Sequence, residues 1–160
     1  MAVAFTKEES AETAAETLLP DRAISPHPNL VTEAGLKALE LQMQEARQAY
    51  EAASTIEDVN ERRWQQANPL RDLRYFVERL RTAQPVPAPT STATVAFGST
   101  VTFSRDDGRV QTYRIVGEDE ADPKAGSISY VAPVARVLTG KAVGDIVVVG
   151  DQELEIIKIS

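Results

Sequence analysis

The chain has 160 residues, a formal net charge of −7, 42% hydrophobic residues and no cysteine. That length suits one ordinary domain, or a small domain joined to an elongated element. The acidic balance argues against a chain that by itself holds nucleic acid through the phosphates, and favours a protein partner with a basic groove. The lack of cysteine excludes a disulfide framework and a thiolate metal site.

Residues 1–30 read as a disordered tail, rich in Glu, Ala and Thr and carrying Pro20, Pro26 and Pro28. So little apolar periodicity does not offset the entropy of ordering, although a transient helix fits Glu8–Leu19. Met1–Phe5 is followed, not preceded, by charge at Lys7, Glu8 and Glu9, which is not a secretory signal. No run approaches the roughly 20 apolar residues of a membrane helix, and a cytoplasmic location is expected. The only histidine, His27, lies between two prolines and reads as solvated rather than as a ligand.

Residues 31–83 read as a coiled-coil hairpin. Thr32 is an N-cap ahead of Glu33-Ala34-Gly35-Leu36. Leu36, Leu39, Met43, Ala46, Tyr50 and Ala53 then recur at three- and four-residue steps, the seam of a coiled coil. Leu70, Leu73, Val77 and Leu80 resume it after the polar, acidic stretch Ser54–Glu61. An interrupted and resumed seam is an antiparallel hairpin, and arms of about 25 residues reach about 38 Å. Pro69 leaves two readings: a kink inside the second arm, or a tip at Ala67–Pro69 with Asn68 as cap. The kink is favoured because both arms then share a base, with the tip near Glu57. Trp64, near that tip, reads as a cap on the seam, and less readily as a contact for a partner.

Residues 84–94 are a proline-rich, extended linker. From residue 95 the period drops to two. Val95–Phe97 and Thr100–Phe103 read as strands broken by Gly98, Asp106-Asp107-Gly108 as a hairpin turn, and Val110–Val116 as the return strand. Ile128–Val131 reads as a strand and Pro133–Leu138 as a short helix with proline at its first position. Ile146–Val149 and Leu154–Ile159 form a last hairpin. The fold class is α+β: a helical hairpin followed by a small antiparallel sheet with one short helix.

Several strings in register resemble the bacterial GreA/GreB transcription elongation factors. They are Val95-Ala-Phe-Gly-Ser-Thr-Val-Thr-Phe103, Tyr113-Arg-Ile-Val-Gly-Glu-Asp-Glu-Ala-Asp122, Ile128-Ser-Tyr-Val-Ala-Pro-Val-Ala-Arg136 and Leu138-Thr-Gly-Lys-Ala-Val-Gly-Asp145. The resemblance covers residues 95–160. Over the hairpin it is confined to architecture and to the opening Val31–Leu36.

The resemblance implies an FKBP-like C-terminal domain docked at the rim of the RNA polymerase secondary channel. The hairpin would enter that channel and bring acidic tip residues to the polymerase magnesium, where backtracked RNA is cleaved. The chain would then be an accessory factor rather than an enzyme, a monomer with no intrinsic cofactor, meeting nucleic acid only within the elongation complex. Added carboxylates hold a second Mg²⁺ and orient a water in a two-metal displacement. The family's tip motif, Gly-Asp-x-x-Glu-Asn, does not occur here. Aligned from Arg74-Tyr75-Phe76 it falls over Glu51–Ile56, placing its acids on Ala52 and Thr55. If each arm is shorter by about one heptad, the tip acids are Glu57, Asp58 and Glu61, with Glu57 and Asp58 as magnesium ligands. The plainer reading of these acids is a solvated helix start. Docking residues carried over are Glu118, Asp119, Asp122, Ser129, Ala132, Pro133 and Arg136. A non-cleaving secondary-channel regulator and a nucleoside-diphosphate-kinase-regulator-like protein are the alternatives.

Overall fold

A computed structural model describes residues 19–160. Residues 1–18, most of the tail and nearly all of the Glu8–Leu19 helix lie outside the described residues. The described chain forms two compact units: residues 19–24 with Leu39–Thr82, and Ser25–Ala38 with Ala83–Ser160.

The first unit holds most of a helical hairpin. Helix α1 spans Glu33–Ala53 and α2 spans Val59–Thr82. Their burial follows the seam: Leu39, Ala46 and Ala53 are buried, and Leu36, Met43 and Tyr50 are half-buried. In α2 the seam runs through Leu70, Leu73, Phe76 and Leu80, and Phe76 is buried. Val77, expected on the seam, is 46% exposed. A three-step from Leu73 reaches Phe76 and a four-step then reaches Leu80, which keeps the larger ring inside and turns Val77 outward. Pro69 lies inside α2, so the turn is at residues 54–58, as the shared-base reading expects. Arg22 sits 3.8 Å from the centre of the Tyr75 ring and 3.1 Å from Asp72. Asp21 lies 3.5 Å from Arg74.

The second unit is built on a five-stranded sheet. Its strands are β3 (Thr100–Arg105), β4 (Val110–Val116), β5 (Ser127–Ser129), β6 (Ile146–Val149) and β7 (Gln152–Ile159), in the order β5-β4-β3-β7-β6. Helix α3 is Pro133–Leu138, with the expected bounds. Val101 and Phe103 from β3, Ile115 from β4, Leu154 and Ile156 from β7, and Ala135 and Leu138 from α3 form its core. In β7 the alternation slips, since Ile157 is 47% exposed while Ile159 is buried. A register shift opposite Thr102/Phe103 accounts for this, because one inserted residue returns the side chains to the core face.

Three differences from the sequence reading follow. Val95–Phe97 is not a strand: Ala96 N–H bonds the Ser99 hydroxyl at 3.0 Å, and Val95 exchanges backbone bonds with Gly140 and Lys141. Those bonds satisfy its backbone without a ladder. Second, β5 pairs parallel with β4, so the sheet is mixed. The ten-residue connection from Gly117 to Gly126 carries the chain back so that Ser127 lies beside Arg114.

The third concerns the tail and the linker. Leu30–Val31 (β1) pairs in parallel with Gln84–Pro85 (β2), Asn29 is buried, and the Tyr130 hydroxyl donates to the Pro28 carbonyl. Residues 25–30 are therefore ordered. Prolines lower the entropy lost on fixing an extended segment, and tertiary bonds supply what local periodicity lacks. Gly117 admits this segment, because a Cβ there would lie 2.3 Å from the Leu30 carbonyl oxygen. His27 is exposed, its N–H on the Ser25 hydroxyl at 3.2 Å.

Candidate functional site

The first group of candidate residues surrounds the hairpin turn. Helix α1 ends where the Ser54 and Thr55 hydroxyls bond back to the carbonyls of Tyr50 and Ala52, at 3.0 and 2.9 Å. Side-chain competition of this kind with the helical ladder favours a stop. Asp58 then caps α2, its Oδ1 accepting the Glu61 N–H at 2.9 Å. Glu61 accepts a 2.9 Å bond from the Gln65 amide one turn on. Arg62 donates to the Ile56 carbonyl at 3.1 Å, and Gln66 to the Ser54 hydroxyl at 2.9 Å, closing the turn. Glu57, Asp58 and Glu61 are all exposed. Their carboxylates suit a hard cation. Among the described residues, no group of three or more His, Cys, Asp or Glu side chains is placed to hold a metal ion. Trp64 does not cap the seam: it is 67% exposed, on the outer side of α2.

The second group lies in the second unit. The parallel register sets Val116 beside Ser129, and Tyr130 N–H donates to the Val116 carbonyl at 2.9 Å. The chain leaves β4 toward Glu118 and leaves β5 toward Ala132 at the same end of the sheet. Glu118 accepts the Ser25 hydroxyl at 2.9 Å, and Asp119 beside it is half-buried. Ser129 turns the chain: its hydroxyl accepts the Val131 N–H at 3.2 Å and its carbonyl the Ala132 N–H at 3.0 Å. Ala132 is the extended cap position of α3, Pro133 is its exposed first residue, and Arg136 is exposed one turn later. Asp122 stands apart. It bridges to Ser127 at the opposite end of β5 and opens a 3-10 turn, Pro123–Ala125.

Sequence reasoning read Glu120 only as part of this acidic loop and missed its pairing with Thr32. Its carboxylate accepts the Thr32 hydroxyl, and the Thr32 oxygen accepts the Gly35 N–H at 2.9 Å. A Cβ on Gly35 would sit 2.6 Å from that carboxylate. The expected N-cap is present. Its carboxylate partner comes from a distant loop that no local pattern announces. Among the described residues, no helix is long and apolar enough to cross a membrane.

A helical hairpin with an acidic turn, and an α+β unit whose β4 and β5 exits share one end of a mixed sheet, make up the described chain. Residues 90–160 match the family described as "Transcription elongation factor, GreA/GreB, C-term", and that part of the chain is a GreA/GreB C-terminal domain. The transcription elongation factor GreA of Thioalkalivibrio sulfidiphilus is 49% identical over 70 residues, covering 41% of this chain and 44% of the relative. GreB of Neisseria meningitidis serogroup B is 42% identical over 95 residues, covering 56% and 58%. The chain thus spans about half the length of the relatives it matches. The crystal structure of GreA factor homolog 1 protein of Thermus thermophilus aligns with a TM-score of 0.40 and 20% identity, over 84% of this chain and 99% of that one.

Proposed function

We propose that the chain is a Gre-type transcription elongation factor that binds RNA polymerase at the secondary channel and stimulates cleavage of backtracked RNA. The observation that carries this reading is the GreA/GreB C-terminal match over residues 90–160. The acidic hairpin turn supports it. In this reading residues 31–83 enter the channel, 84–94 connect, and 95–160 dock through Glu118, Asp119, Asp122, Ser129, Ala132, Pro133 and Arg136. The chain has no catalysis of its own. Glu57 and Asp58 add carboxylate oxygens to magnesium that the polymerase holds, and Glu61 lies a turn behind them.

A second reading is a channel binder that does not stimulate cleavage. It is favoured by the missing tip motif, and by the capping bond that engages one Asp58 oxygen.

The test is transcript cleavage in a purified backtracked elongation complex, with the chain and with its E57A/D58A/E61A variant. Faster cleavage abolished by the variant, with binding retained, assigns the acids. Competition with another secondary-channel factor, without faster cleavage, selects the second reading. The absence of both faster cleavage and competition would sink polymerase binding.

A further inference from the structure

Strand β6 ends the sheet, and among the described residues nothing pairs with its outer side. Its sequence, Ile146-Val147-Val148-Val149, has no charge and no proline. Folded proteins normally guard such an edge with lysine, proline or a bulge. Here Ile146 and Val148 are 62% and 59% exposed, while Val147 is buried.

The backbone polarity of this edge follows from the ladder. Ile156 N–H donates to the Asp145 carbonyl at 3.0 Å, which makes that a bonded pair. Bonded and non-bonded pairs alternate in an antiparallel ladder. Val147 therefore bonds Leu154, while Ile146 opposite Glu155 and Val148 opposite Glu153 are the non-bonded pairs. The N–H and C=O groups of Ile146 and Val148 point away from β7, offering two donors and two acceptors to an added strand.

Charge selects the occupant. Arg136, Thr139 and Lys141 line an open groove with Ile146 and Val148. The Arg136 and Lys141 side chains are exposed and make no ion pair among the described residues. Successive side chains of an added strand alternate between two faces. One set would lie beside Ile146 and Val148, and the other toward the two cations. A second copy of this chain fits poorly, because it would bring its own Arg136 and Lys141 to the same groove.

We propose that β6 is a strand-addition site for an extended peptide segment of alternating apolar and acidic residues. Arg136 is shared with the proposed docking residues, but the test is independent of polymerase binding, since its probe is a peptide alone.

The experiment is an amide NMR titration of the full chain with the capped heptapeptide Glu-Val-Glu-Val-Glu-Val-Glu, beside its Lys-Val counterpart. Expected are shifts centred on residues 136–149, slowed exchange at the Ile146 and Val148 amides, and at least tenfold weaker binding of the lysine peptide. Val148→Pro removes an outward N–H without touching the β7 ladder, so the fold survives and binding falls at least tenfold. R136E/K141E should reverse the peptide preference. Equal binding of both peptides, shifts centred elsewhere, no binding at all, or a Val148→Pro variant that binds as well as the parent would each overturn the proposal.

Discussion

Thr32 and Glu120, 88 positions apart, share a 2.5 Å hydrogen bond at the first turn of α1. The threonine oxygen accepts from Gly35 and its proton goes to the carboxylate. A carboxylate there also meets the positive end of the helix dipole. One residue thus starts a helix and fixes the loop that holds Glu118 and Asp119.

Thr32→Ala removes both bonds and should cost about 1–2 kcal/mol of stability. Thr32→Ser keeps both oxygen roles and should cost less. Urea unfolding of the two variants compares them, and equal losses would remove the hydroxyl from the account.

Gly117→Ala drives a methyl against the Leu30 carbonyl, and backbone cannot step aside as a side-chain end does. Destabilisation of about 1–3 kcal/mol is expected, read from thermal melting. An unchanged melting point would mean that residues 25–31 do not lie on the sheet unit in solution.

The tip separates stability from activity. Asp58→Ala loses the cap of α2 and should cost about 1 kcal/mol. Asp58→Asn keeps an acceptor for the Glu61 N–H and should fold like the parent. If the carboxylate serves polymerase magnesium, Asp58→Asn nevertheless loses stimulation of transcript cleavage. A fully active Asp58→Asn would confine Asp58 to capping.

Trp64 is the only tryptophan and is 67% exposed. Its emission should be that of a solvated indole, open to iodide quenching, and Trp64→Ala should change stability by less than about 0.5 kcal/mol. Under the proposed function, quenching falls when polymerase is added, because the tip enters the channel.

In the hairpin turn of the sheet, the carboxyl of Asp107 is held below the usual aspartate range, chiefly by the Arg109 backbone N–H and then by its guanidinium. A depressed carboxylate lends stability above its unfolded pKa and loses it as pH falls through the folded value. The effect therefore belongs to the acid side of the ordinary aspartate range. Carboxyl NMR titration should show Asp107 protonating below an unperturbed aspartate, and R109A, which keeps the backbone N–H, should return it only part of the way.

Elements specified by local chemistry were legible from residues alone. The hairpin seam, the Thr32 cap, the Asp106–Gly108 turn and the proline-led α3 each depend on neighbours within one turn. What escaped depends on distant partners. Nothing near Leu30 announces Gln84, and the apolar trio Val95–Phe97 reads as a strand until Gly140 and Lys141 supply its bonds. Val77 against Phe76 was a choice between adjacent seam positions, decided by which side chain fills the interface better. At the tip, the acids could be named, but the same three letters encode a helix cap and a metal ligand.

The parallel pairing of Leu30–Val31 with Gln84–Pro85 has a modular consequence. The polypeptide leaves the sheet-bearing unit and re-enters it at adjacent strands, about 4.8 Å apart. Everything between is, topologically, a cassette with stitched ends. Whole heptads can be added to or removed from both arms without moving either splice point. Length variants of the hairpin could therefore be built on one unchanged base, and a short loop in place of Leu39–Thr82 should leave a chain that still folds around Phe103.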